Sequence, residues 1–158
     1  MNIENAFKII EEKKEENDFA GHINNESIAE AEHILNITFP ASHIKFLEKY
    51  GCGSLFGMEI YGIVSDTNIE GKGVPSLVWL TKKLRAENNA PFEYVPVAFA
   101  DDGGYYVLDT SKMENNECPI LIWETGNFSS EKAYDNFAHF LLSQISIPGA
   151  ASNNSKQL

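Results

Sequence analysis

The chain is poor in the residues that most often announce a chemistry. It has one arginine, Arg85, two cysteines, Cys52 and Cys118, and two tryptophans. One arginine beside the short Lys82–Lys83 pair makes no basic stripe with interleaved aromatics, so nucleic acid is not an expected partner. The cysteines form no CxxC pair and no ligand cluster, and each is expected to be a buried reduced thiol. The four histidines, His22, His33, His43 and His139, contain no i, i+4 pair and no HExxH motif, so no metal site is expected. There is no GxSxG elbow for a nucleophile. No apolar run approaches the ~20 residues that span a bilayer. The N-terminal stretch MNIENAFKIIEEKKEEND lacks the apolar segment of a signal peptide. The expectation is a non-enzymatic cytoplasmic protein with no cofactor and no membrane partner.

Acid is what the chain has in excess. Asp and Glu number 23 against 12 Lys and Arg, a net charge of −11. The surplus is five over residues 1–50, one over 51–100 and five over 101–158, so it is no acidic tail. Spread negative charge repels nucleic acid and anionic membranes. It favours solubility, or a basic protein partner. A length of 158 residues suits one domain with a real core.

Apolar periodicity predicts the elements. Residues 4–16 read as a helix with Phe7 and Ile10 on its apolar stripe and EEKKEE as a solvated face. Ser27 with Glu30 matches a capping box, and Ile28, Ala31 and Leu35 continue one helical face. A third helix runs from about Ala41 to Tyr50, with Pro40 at its start and Gly51 at its stop. MEIYGIV, residues 58–64, is the first run with strand character. Residues 75–87 read as a helix. YVPVAFA (94–100) and YYVLD (105–109), joined by DDGG, read as a hairpin. PILIWE (119–124) is a strand, and residues 131–145 a closing helix. The order predicts an α+β single domain, with a mostly antiparallel central sheet flanked by helices. The division reads as a charged helix and connection over 1–24, the main domain over 25–147 and a disordered tail over 148–158.

Two local features invite a chemical reading. GCGSLFG looks like a phosphate loop, but a helix precedes it and a strand comes after it. A phosphate site needs the reverse order, so that a helix N-terminus faces the anion. Gly51 as a helix stop and Gly53 and Gly57 as turn residues account for it. Asp101 and Asp102 are adjacent carboxylates, but Asp-Gly and Gly-Gly are ordinary turn chemistry.

One pattern spans most of the chain. Ile28-x-x-Ala31-Glu32-x-x-Leu35 precedes Phe39-Pro40-x-Ser42 and Phe46-Leu47-x-x-Tyr50-Gly51-x-Gly53-x-Leu55. Then come Ile60-Tyr61-Gly62, Val97 to Tyr106, Leu108-Asp109-Thr110, and Pro119 at the head of a strand. Over roughly residues 25–145 this resembles the SUKH superfamily, the relatives of the Smi/Knr cell-wall assembly regulators. The resemblance implies an α+β fold of helices around a central sheet and a protein-binding role without catalysis. Bacterial members are similar to immunity proteins that neutralise the toxin domains of polymorphic toxin systems, often nucleases. Fungal members resemble scaffolds in cell-wall synthesis and signalling. The resemblance thus implies a cognate, basic toxin domain as partner. Anchors for it would be aromatic groups beside acids: Glu59 and Tyr61, then Asp101, Asp102 and Tyr105, then Trp123 and Glu124. For each, core packing or plain solvation is the competing explanation.

Overall fold

The computed structural model describes residues 2–126 and 130–145, the Asp102 side chain excepted. Seven strands form one sheet in sequential order, every neighbouring pair antiparallel. They are β1 (Asn17–Phe19), β2 (Gly53–Leu55), β3 (Met58–Ile60), β4 (Tyr94–Ala100), β5 (Gly104–Asp109), β6 (Ile120–Glu124) and β7 (Ser130–Tyr134). The helices are α1 (Ile3–Glu12), α2 (Asn25–Leu35), α3 (Ala41–Tyr50) and α4 (Leu77–Glu87), with α5 over residues 137–145. The domain is α+β, as its element order predicts.

The helices pack on one face of the sheet. In the register, Phe19 stands opposite Gly53, Gly53 opposite Ile60, Ile60 opposite Ala98 and Ala98 opposite Tyr106. Side chains paired across strands share a face. On this face Phe19 meets Phe46 and Tyr50 of α3, and Tyr106 meets Phe140 of α5 at 5.1 Å. Phe46 and Phe137 join α3 to α5, at 5.5 Å between ring centres. α1 adds Ile3, Ala6, Phe7 and Ile10 to the same core. β1 belongs to the sheet, so residues 2–24 share both core and sheet with the remainder of the domain.

Several predicted boundaries are corrected. α1 ends at Glu12, and residues 17–19 pair with β2 instead of continuing as helix or loop. α2 starts three residues early: Asn24 Oδ1 accepts from the Ser27 amide at 2.8 Å, so Asn24 is the cap. Ser27 instead donates its hydroxyl to Asp66 at 2.7 Å. The predicted helix over 131–145 is β7 up to Tyr134 and α5 from residue 137. Glu131-Lys132-Ala133 favour helix locally, but their backbone pairs with β6, and tertiary pairing overrides propensity. Asn136 Oδ1 then accepts from the His139 amide at 2.8 Å and starts α5. The tail expected to be disordered lies outside the described residues.

The glycine-dense segment joins helix to sheet. Gly51 closes α3 at φ 72°, and Gly57 turns β2 into β3 at φ 87°. Gly53 is a strand residue, not a turn residue: a Cβ there would lie 2.2 Å from the Asp18 carbonyl oxygen. Its bare backbone lets β1 approach β2.

The α3 N-terminus is held from far along the chain. Pro40, at the cap position, has no side-chain acceptor to offer. Glu117 supplies it, accepting from the Ser42 amide at 3.0 Å and the Ser42 hydroxyl at 2.7 Å. A carboxylate there also suits the positive end of the helix. Glu117→Ala should lower unfolding free energy by about 1–2 kcal/mol, as for the loss of a good cap. Glu117→Gln, which keeps an acceptor, should recover part of that in urea unfolding. Equal losses in the two variants would remove the cap explanation for this contact.

Candidate functional site

The second face of the sheet carries most of the residues singled out from sequence. Asp18 stands opposite Ser54 and Ser54 opposite Glu59. The Ile60–Ala98 pairing carries this row on to Phe99, which pairs with Tyr105. Tyr105 pairs with Trp123 and Trp123 with Ser130. The row runs from acids at the β1–β3 end through aromatics on β4–β6. Among the described residues its ring contacts join strand residues and Tyr61, which directly follows β3: Phe99–Tyr105 at 5.6 Å, Tyr61–Tyr105 at 6.4 Å and Tyr94–Trp123 at 6.0 Å. Among the described residues, ring contacts between helices and sheet all fall on the other face. This face is open only toward its β1–β4 end: Asp18, Glu59 and Phe99 are exposed, while Val107, Leu121 and Trp123 are buried.

Burial grades along the row. Trp123 is only 3% exposed, and Tyr94 closes over it, sharing a 2.8 Å hydrogen bond with the Ser130 hydroxyl. Tyr61 is 4% exposed and Tyr105 half-buried. Phe99 is 50% exposed, one of three large apolar side chains so placed among the described residues. Glu59 and Asp18 are exposed. Burial, then the neighbouring Tyr105 and Glu59, push the Tyr61 hydroxyl up to about 12. It is therefore a neutral donor at physiological pH.

The remaining residues expected at the site lie elsewhere. Glu124 comes directly after Trp123 in β6, so strand alternation turns it to the helix-covered side, where it is exposed at the strand end. Asp101 is exposed in the turn between β4 and β5, at the hairpin tip that DDGG predicts. Its charge acts on Tyr106, on the helix-covered face. Burial raises that hydroxyl's pKa most, with Tyr134 and then Asp101 adding to it. The Asp102 side chain lies outside the described residues. The structure therefore unites Glu59, Tyr61, Tyr105 and Trp123 and separates Asp101 and Glu124 from them.

Sequence reasoning missed Phe99. In strict alternation Val95, Val97 and Phe99 would share a face, and Val95 pairs with Leu108 on the helix-covered side. A register shift between Pro96 and Ala98 inserts one residue and turns Phe99 to the opposite face. No pattern in YVPVAFA marks that bulge.

Other reactive groups are buried. Burial pushes the Cys52 thiol up to about 11 and the Cys118 thiol up to about 12, with nearby carboxylates adding to both shifts. Both are free cysteines within the fold, as expected. Among the described residues no group of three or more His, Cys, Asp or Glu could hold a metal ion. No described helix is long and apolar enough to cross a membrane.

These features define an α+β domain with its helices on one side of a sequential antiparallel sheet and an acid-edged aromatic row on the other. A family model, SUKH_5, described as SMI1-KNR4 cell-wall, matches residues 3–146. The chain belongs to the SUKH family, and the match includes α1 and β1.

Proposed function

We propose that this chain is a non-enzymatic binding protein that captures and neutralises a cognate toxin domain, as an immunity protein does. The observation that carries the reading is the exposed end of the second sheet face, where Phe99 and half-buried Tyr105 stand in one row with Glu59 and Asp18. Aromatic anchors next to acids suit a basic protein surface. A net charge of −11 adds long-range steering toward such a partner. Electrostatic steering raises association rates to about 10⁸–10⁹ M⁻¹s⁻¹ at low salt. A nuclease toxin, whose substrate-binding cleft must attract phosphate, has the complementary charge.

The test is capture of partners from the native host on the tagged chain, followed by co-expression. One toxin-bearing protein should be retained through its toxin domain and released by salt. Co-expression of this chain should then relieve the growth arrest that the toxin domain causes alone. The family description names the cell wall, and a scaffold in wall assembly is the second reading. Retention of several wall-synthesis proteins, with no toxin neutralised, would replace the immunity reading with that one.

A further inference from the structure

We propose that the acid-edged aromatic row receives an arginine-bearing segment of the partner, which lies across β3, β4 and β5. The inference rests on the protein-binding reading above and assigns its contact face. Three observations carry it. First, Glu59 and Asp18 are exposed on this face, and neither carboxylate has an ion pair or hydrogen bond among the described residues. Elsewhere on the surface Lys45, Lys82, Lys83 and Lys132 each sit within 4.0 Å of a carboxylate. Among the described residues the row's acids are left without a counterion.

Second, the ring beside Glu59 is the exposed one. Phe99 and Tyr105 meet edge to face, with ring planes 82° apart, so one ring turns its face where the other turns its edge. A guanidinium is planar and weakly hydrated. It stacks on a ring while donating to a carboxylate alongside, which a compact, strongly hydrated ammonium does less well. The chain uses the ring half of this pairing internally: the Arg85 guanidinium lies 3.8 Å from the centre of the Phe92 ring and donates to the Phe92 carbonyl oxygen. Third, the charge of the whole chain opposes self-association through this face. Two copies would bring two surfaces of net charge −11 together, acid row to acid row. A basic segment of a different protein is the complementary occupant.

The experiment titrates the isotope-labelled full chain with oligoarginine and oligolysine of equal length, read by amide chemical shifts. Shifts should centre on Glu59, Phe99 and Tyr105, and oligoarginine should bind about fivefold tighter than oligolysine. Glu59→Lys and Phe99→Ser change exposed side chains and should each weaken oligoarginine about fivefold, with circular dichroism unchanged. Asp101→Lys is the same charge reversal at the hairpin tip and should weaken it less than about twofold. Equal binding of the two peptides overturns the proposal, as do shifts centred on the acidic faces of α1 and α2. So does a concentration-dependent dimer that protects the same amides. Toxin neutralisation by the Glu59→Lys variant separates this proposal from the reading beneath it. If that variant neutralises as well as the unaltered chain, the face is wrong and the immunity reading stands. If oligoarginine maps to the row and no toxin is neutralised, the face stands and the immunity reading falls.

Discussion

Gly62→Ala should unfold this domain or come close to it. A Cβ at residue 62 would lie 1.8 Å from the Gly51 carbonyl oxygen and 2.9 Å from its carbonyl carbon. Both are backbone atoms, so no side chain can swing aside. The crossing is also tied down by hydrogen bonds. Gly51 O accepts from the Ile63 amide at 3.0 Å, the Gly62 amide donates to Pro75 O at 2.9 Å, and Gly62 O accepts from Leu77 at 2.9 Å. Separating the chains enough to admit a methyl would strain all three bonds, and with them the end of α3 and the start of α4. The expected loss is about 3 kcal/mol or more, at the upper end of overpacking costs. Gly57→Ala is the control. It has open space around the added methyl, and only its positive φ of 87° opposes substitution. That should cost about 1–2 kcal/mol. Urea unfolding of the two variants decides the matter. Equal losses would mean that the backbones at residues 51 and 62 separate easily enough to admit the methyl.

That crossing also shows why the glycine-rich segment misleads in sequence. Gly51, Gly53, Gly57 and Gly62 look alike in a string of letters, and their jobs differ because their neighbours differ. Gly51 and Gly57 are legible, since a helix stop and a two-strand turn are local events. Gly53 and Gly62 are not, because the carbonyls they accommodate belong to Asp18 and Gly51 on other elements. The same division runs through the fold. The β4–β5 hairpin could be read from alternation around DDGG, and α2 from its helical repeat. β1, β2 and β7 could not: each is short or polar and holds its place by pairing with a neighbour. The contacts that Asp66 makes with Ser27 and Glu117 with Ser42 reach across 39 and 75 residues, beyond any local motif.

The candidate site was partly legible for a related reason. Glu59 with Tyr61 just past the end of β3, Tyr105 on β5 and Trp123 on β6 come from separate parts of the chain, and a sequential antiparallel order brings them onto one face. Period-two alternation then puts Glu59 with Tyr61 and puts Glu124 opposite Trp123. Glu124 lies off the row because it and Trp123, neighbours in sequence, fall on opposite faces of β6, and Asp101 lies off it because it sits in the turn beyond β4. Phe99 joins only because of the bulge, so it is the residue whose role most depends on the folded structure.

Acid should destabilise the domain through one buried imidazole, well above the pH at which carboxylates protonate. His43 on α3 is fully buried, packed edge to face between Phe39 and Phe137, with ring centres 4.9 Å away on each side. Neither ring nitrogen has a hydrogen-bond partner among the described residues. Burial lowers its pKa from 6.5 to about 3. A folded-state pKa below the unfolded one means that protons bind the unfolded chain first. The neutral ring costs no linkage energy above pH 6.5, and stability falls as pH drops from there toward 3. The slope approaches about 1.4 kcal/mol per pH unit for a single proton. Between about pH 7 and 4.5 the domain should therefore lose about 2–3 kcal/mol. His43→Phe keeps the edge-to-face packing and removes both unpartnered nitrogens. Leaving a polar group buried without a partner costs about 1–3 kcal/mol, so the variant should be at least as stable near neutral pH, overpacking aside. Its decisive signature is the slope: across that same acid range, urea midpoints for His43→Phe should stay nearly level while those of the unaltered chain fall. Parallel profiles would mean that the imidazole reaches water or a partner on protonation, and that acid sensitivity arises elsewhere.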